Sequence, residues 1–234
     1  MTQRSDFLDL VQLIVDGDIS GVGRVLKSRP ELAVMASPRK SKGDETSERF
    51  FPAIKHYLYA GDTALHMAAA AISKPIAEKL ISCEADPRAR NRRGAEPLHY
   101  AADGDWFRPI EQSAVIEYLV SVGGDPNALD KSGVSPLHRA VRRRSLAACR
   151  VLLNGGADPR IRNRSGSTPL HLAVQTTGAS GSGTDEAREQ QSEIIRLLIR
   201  HGARSSDTDT KGKFVYEAAT SEWTRELLSN LERI

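Results

Sequence analysis

Four histidines recur along this chain in one setting. Gly61 to His66 reads Gly-Asp-Thr-Ala-Leu-His, and related blocks follow as Gly94 to His99, Gly133 to His138 and Gly166 to His171. Imidazole is the usual general base near neutral pH and the commonest metal ligand, so such a row is the first place to look for chemistry. The intervals argue otherwise. They are 33 residues (66 to 99), 39 (99 to 138) and 33 (138 to 171), and a fixed period in this range signals stacked structural repeats. Equivalent positions in stacked repeats lie about one layer, on the order of 10 Å, apart. Zinc ligands must instead converge within about 2.0 to 2.1 Å of one ion. The row therefore reads as scaffolding, one ring per layer, and His56 and His201 stand outside it without an evident partner.

Other signatures of chemistry are missing from the sequence. There is no GxSxG and no HExxH, and the glycines from Gly178 to Gly183 lack the Lys-Ser/Thr ending of a phosphate loop. The carboxylate pairs Asp16/Asp18 and Asp207/Asp209 fall in turns and caps, where solvation or N-capping is their ordinary role. Cys83 and Cys149 are not in a CxxC spacing, which suits a reducing, intracellular setting without a disulfide. No catalytic residue, metal site or cofactor is expected, and the chain does not read as an enzyme.

The elements that carry the row follow one grammar. Small residues come after each histidine (Ala68 and Ala69, Ala101 and Ala102, Ala140 and Val141, Ala173 and Val174) and let a short first helix pack closely. A second helix follows, with apolar stripes Ile76-Ala77-Leu80-Ile81, Val115-Ile116-Leu119-Val120, Ala148-Cys149-Leu152-Leu153 and Ile194-Ile195-Leu198-Ile199. Positions i, i+1, i+4 and i+5 share one face of a 3.6-period helix. Turn signals end three of them, at Glu84 to Pro87, Gly123 to Pro126 and Gly156 to Pro159, and Gly202-Ala203 ends the fourth. Glycine suits the left-handed cap, and proline stops the helix from continuing. The short polar segments that follow, Arg88 to Arg93, Asn127 to Ser132 and Arg160 to Ser165, read as projecting turns or hairpins.

This grammar resembles the ankyrin repeat, with its TPLHxA stretch on the first helix and GAD turn after the second. Thr168-Pro169-Leu170-His171 matches that stretch in full; Ala64 replaces the proline, and Glu96 and Ser135 replace the threonine, in the other units. Two weaker units extend the register: Val15 to Asp18 with Val22, Val25 and Leu26 at one end, and Gly212 to Ala219 with Leu227 and Leu228 at the other. End repeats bury only one side and tend to diverge. The resemblance implies an all-α solenoid of stacked helix-turn-helix units with projecting fingers, as a single domain over 1–234. Its parts are an N-terminal cap at 5–35, an insertion at 36–60, repeats at 61–93, 94–132, 133–165 and 166–211, and a C-terminal cap at 212–234. It also implies that each motif histidine bonds to backbone and joins adjacent layers.

Three insertions depart from the pattern. The spacing from Val11 to His66 is 55 residues, 22 more than one repeat; its polar part, Ser37 to Arg49, predicts a mobile loop. The apolar Phe50-Phe51-Pro52 and Tyr57-Leu58-Tyr59 are expected to pack onto the first repeat. Six extra residues surround Gly104 to Pro109 and include Trp106 and Phe107, which either cover helix ends or anchor a partner. The third insertion, Thr176 to Gln190, combines a Gly/Ser linker with a capping Thr184 or Asp185 for a lengthened second helix.

The resemblance also implies where partners are met: on the fingers and on exposed positions late in the first helices. Carried onto this chain, those positions are Arg90, Arg92, Arg93, Lys131, Arg162 and Arg164 on the fingers, and Arg142 and Arg143 on a first helix. Net charge is only +3, so the stripe matters more than the total. The expected function is a non-enzymatic protein-binding scaffold whose basic concave surface recognises an acidic protein segment, since arginine pairs bidentately with carboxylates. Trp106 and Phe107 are candidate apolar anchors. The alternative is nucleic acid or another polyanion on the same stripe; no nucleic-acid motif accompanies it, and aromatics are not interleaved with it in the sequence. A bland reading also stands, a solvated charged face. No run approaches the roughly 20 apolar residues that span a bilayer, and Leu10 to Val15 is too short and too acidic in its flanks for a signal peptide. A cytoplasmic monomer is expected.

Overall fold

Short helices rich in small residues need neighbours on every side, and stacking supplies them. The computed structural model of the chain describes residues 3–38, 49–104, 107–175 and 184–231. Helices α1 (Gln3–Val15) and α2 (Ile19–Ser28) form the first pair. A hairpin of β1 (Arg49–Phe51) and β2 (His56–Leu58) follows. The pairs α3 (Ala64–Ala70) and α4 (Lys74–Ser82), α5 (Pro97–Ala102) and α6 (Pro109–Ser121), α7 (Pro136–Arg142) and α8 (Leu146–Asn154), and α9 (Pro169–Ala173) and α10 (Asp185–Arg200) come next. The last pair is α11 (Val215–Ala218) and α12 (Glu222–Leu231). First helices pack on first helices and second on second, so a continuous apolar core runs through the stack. The motif alanines and the second-helix stripes line it: Ala68, Ala101, Ala140, Ile76, Ile116, Leu152 and Ile195 are fully buried.

The solenoid is the expected one, and the two-stranded hairpin is the departure from an all-α chain. Alternation explains the hairpin: Phe51 and Leu58 point into the core at 3 % exposure each, while Phe50 and Tyr57 point outward at 44 % and 43 %. Only half of the apolar residues there pack back, therefore. The mobile loop expected between Ser37 and Arg49 lies mostly outside the described residues, but Ser37 itself is buried and exchanges backbone hydrogen bonds with Gly61 and Asp62.

The other insertions lengthen second helices. α6 has 13 residues and α10 has 16, against 9 in each of α4 and α8. In the added turns Gln112 and Gln191 are buried and donate back to the first helix of their own unit, to the carbonyls of Ala101 (2.9 Å) and Ala173 (2.6 Å). Each amide brings a donor to a carbonyl at the end of a first helix, where intrahelical donors run out. Thr184 caps α10 by accepting from the Ala187 N–H. The Gly/Ser linker before it lies outside the described residues.

The fingers are side-chain-closed turns. Asn91 Oδ1 accepts the N–H groups of Arg93 (2.9 Å) and Ala95 (3.0 Å), and Asp130, Asn163 and Asp209 repeat the arrangement. Successive fingers are tied by backbone bonds: Arg92 N–H to Ala60 O (2.9 Å), Lys131 to Arg93 (2.8 Å), Arg164 to Ser132 (2.9 Å) and Thr210 to Ser165 (3.1 Å). This approach explains one motif glycine directly. Gly133 has φ +71°, and a Cβ there would sit 2.9 Å from the Arg164 nitrogen.

Candidate functional site

The histidine row is engaged on both ring nitrogens. Each Nδ1 accepts the backbone N–H that opens its helix, from Thr63 (3.1 Å), Glu96 (3.1 Å), Ser135 (3.2 Å) and Thr168 (3.2 Å). Each Nε2–H then donates to a carbonyl of the next unit, at Ala95, Val134 and Ser167 (3.0 Å each) and Lys213 (3.4 Å). This pattern fixes a neutral tautomer and stitches layers together, as the resemblance implied. Burial lowers all four pKa values, that of His99 to about 3. Among the described residues no group of three or more His, Cys, Asp or Glu could hold a metal ion. Cys149 is buried in the core, which pushes its thiol pKa up.

The polar feature that faces solvent is a groove of about 450 Å³ between the fingers and the first helices. Among the described residues five cationic side chains line it, Arg92, Arg93, Lys131, Arg139 and Arg142, against two carboxylates, Asp103 and Asp130. Its floor comes from one register position, the residue directly after the motif histidine: Tyr100 on α5 and Arg139 on α7. Beneath them Asp62 is fully buried and accepts from the Tyr100 hydroxyl (2.8 Å), Asn91 Nδ2 (2.8 Å) and the Tyr59 N–H (2.6 Å). Burial and that carboxylate raise the Tyr100 pKa. The inserted hairpin closes one end of the groove, with the His56 ring 4.4 Å from that of Tyr100 and its pKa lowered by burial. A second hollow of about 270 Å³ adjoins there and shares His56, Tyr100 and Asp103; Lys55, Arg108 and Arg143 reach it.

Arg139 is held at 12 % exposure by Asp130 (3.2 Å) and Asp103 (3.7 Å), and its Nε is buried without a partner. Asp103 also faces Arg142 (3.5 Å) and Arg143 (3.7 Å). One carboxylate is thus shared by three guanidiniums, all farther away than the roughly 2.7–2.9 Å of a strong charge-assisted hydrogen bond.

Of the residues expected in the contact stripe, Arg92, Arg93, Lys131 and Arg142 come together here, and Arg143 lies in the adjoining hollow. Arg93 stacks over the Tyr59 ring at 4.0 Å. Arg164 occupies the same finger position as Arg92 and Lys131, one layer beyond the groove lining. Arg90 and Arg162 are also outside the lining. Arg90 pairs with buried Glu96 (3.2 Å), and Arg162 pairs with Asp207 (3.6 Å) and the Thr208 carbonyl. Phe107 is 68 % exposed ahead of α6 and is not among the residues that line the groove; Trp106 lies outside the described residues. Sequence reasoning missed Arg139, His56, Tyr59 and Tyr100. A large polar residue after two consecutive motif histidines was the available signal for Arg139 and Tyr100. The aromatics absent from the arginine stripe in chain order are beside it in space, because the hairpin carries Tyr59 and His56 there.

Stacked helix pairs, histidines that bridge layers and tied fingers define a helical repeat solenoid that offers surfaces for recognition. The family profile described as Ankyrin repeats (3 copies) matches residues 108–209, and that described as Ankyrin repeat matches residues 60–92. The chain belongs to the ankyrin repeat family. Ankyrin repeats are generally protein–protein interaction modules and typically non-enzymatic scaffolds. No curated protein matches the chain. No helix among the described residues is long and apolar enough to cross a membrane.

Proposed function

We propose that this chain is a non-enzymatic scaffold that binds an acidic segment of a partner protein in the groove between its fingers and its first helices. The observation that supports the reading is the gathering of five cationic side chains on one groove that, among the described residues, contains two carboxylates. A surplus of one sign in a concave surface focuses the field and attracts the opposite charge. Backbone bonds between fingers hold Arg92, Arg93 and Lys131 in place before binding, which lowers the ordering entropy lost on association. Arg143 and Arg164 extend the surface at its two ends. Arg90 and Arg162 are used up in pairs with Glu96 and Asp207 and serve the scaffold.

The combined substitution Arg93→Glu, Lys131→Glu and Arg142→Glu is expected to abolish binding to a pool of Asp/Glu-rich peptides. Thermal stability should be nearly unchanged, because these side chains are exposed. Fluorescence anisotropy measures the first and thermal unfolding the second; unchanged affinity in a folded variant removes the groove from the reading. A second reading, single-stranded nucleic acid, is favoured by the aromatic row beside Arg93. Phe50 and Tyr57 rings are 4.8 Å apart, and Tyr57 and Tyr59 are 5.9 Å apart. That reading requires random-sequence single strands to bind with an affinity that falls steeply with salt.

A further inference from the structure

Resting on the reading above, we propose that the groove recognises a phosphate monoester carried on a side chain of the partner segment. The cations do not form a line that would meet a string of single charges. Arg93 and Lys131 descend from adjacent fingers and Arg139 and Arg142 rise from α7, all onto one space of about 450 Å³. A carboxylate brings one negative charge to such a point and a phosphodiester one per phosphate, whereas a monoester brings roughly 1.5 to 2 with three strong acceptor oxygens.

The donors for those oxygens are in place and underused. Among the described residues Arg142 and Arg143 have only the 3.5 and 3.7 Å ion pairs with Asp103. Among the described residues Lys131 has no ion pair, and Arg93 rests on the Tyr59 ring with no side-chain hydrogen bond or ion pair at its edge donors. Asp103 acts as an internal stand-in: it holds three guanidiniums near one point while bonding closely to none, so an entering anion takes over Arg142 and Arg143 without breaking a short hydrogen bond. Arg139, fixed by Asp130, stays as the immobile base of the cradle.

The test uses the full chain and three fluorescent pools of degenerate peptides. The central residue is phosphorylated (phosphoserine, phosphothreonine or phosphotyrosine), or glutamate, or the unmodified residue. Random-sequence single-stranded DNA is the fourth probe. At physiological salt the phosphorylated pool is expected to bind at least about tenfold tighter than the glutamate pool. Lys131→Glu and Arg142→Glu each remove the difference, while Arg150→Glu on the exposed face of α8 leaves it intact. Asp103→Asn, which keeps the shape and deletes the competing charge, should tighten phosphopeptide binding several-fold. Equal affinity for phosphorylated and glutamate pools overturns the phosphate inference and leaves the acidic-segment reading standing. Binding of DNA in preference to every peptide pool overturns both, as does failure of every pool to bind a chain shown to be folded by circular dichroism.

Discussion

Glu96 stands where Thr63, Ser135 and Thr168 open the other first helices, and it pays for a role its neighbours fill with a hydroxyl. The Thr63 and Thr168 hydroxyls lie 3.0 and 2.9 Å from the Nδ1 atoms of their histidines. Glu96 is 2 % exposed, one carboxylate oxygen meets Arg90 at 3.2 Å, and the other is buried without a partner. Burial raises its pKa, opposed by Arg90. A buried acceptor left open costs about 1–3 kcal/mol. Glu96→Thr is therefore expected to stabilise the fold by about 1–2 kcal/mol and to raise Tm by several degrees. A lowered Tm would show that the Arg90 pair outweighs the orphan oxygen. The substitution was visible in the sequence as a break in the motif. Its burial was not, because that depends on the finger that folds over it from Arg90.

Element ends tell the same story at larger scale. Three second helices close on a glycine in the left-handed region, at Gly123 (φ +102°), Gly156 (φ +92°) and Gly202 (φ +99°); in α4 the position belongs to Glu84, at φ +64°. The left-handed conformation costs a residue with a Cβ about 1–2 kcal/mol. Glu84 is exposed. Glu84→Gly is expected to gain about 1 kcal/mol, read as a higher urea midpoint with an unchanged slope; a lower midpoint would mean that chain entropy in the unfolded state dominates. The caps, stripes and repeat starts were legible because each is a local pattern repeated four times. The hairpin of β1 and β2 was not. Its strands have three residues each, too few to show a period, and they exist because Phe51 and Leu58 reach the core of a repeat elsewhere in the sequence. The groove inherits that difficulty: its arginines follow from register, whereas its aromatic end wall comes from an insertion that register does not place.

Over the whole molecule, the stitched histidines couple stability to pH. His66, His99, His138 and His171 are neutral when folded, and burial lowers their pKa values from the ordinary 6.5, as it does for His56. Below about pH 6.5 the unfolded chain binds more protons than the folded one, so stability is full above that value and is lost as pH falls toward the folded pKa. For His99, with a folded value of about 3, the step from about pH 7 to pH 5 removes on the order of 2 kcal/mol, and the other rings add in the same direction. Glu96 has the opposite sign, since its raised pKa lets the folded state take up a proton first, but it is one group against five. Asp130, where a desolvation that raises the pKa is outweighed by backbone hydrogen bonds and Arg139, and Asp209, held low by backbone hydrogen bonds, contribute stability that is lost only below about 3.8 and leave this window clear. Urea unfolding at pH 7, 6 and 5 is expected to show a steadily falling midpoint. In His99→Asn the protein should be less stable at pH 7 while the gap between pH 7 and pH 5 narrows, because one titrating ring has been removed from the difference. A midpoint independent of pH would mean that the rings titrate in the fold as they do in the unfolded chain, and the Nδ1 acceptor role that joins each helix start to its histidine would fall with it.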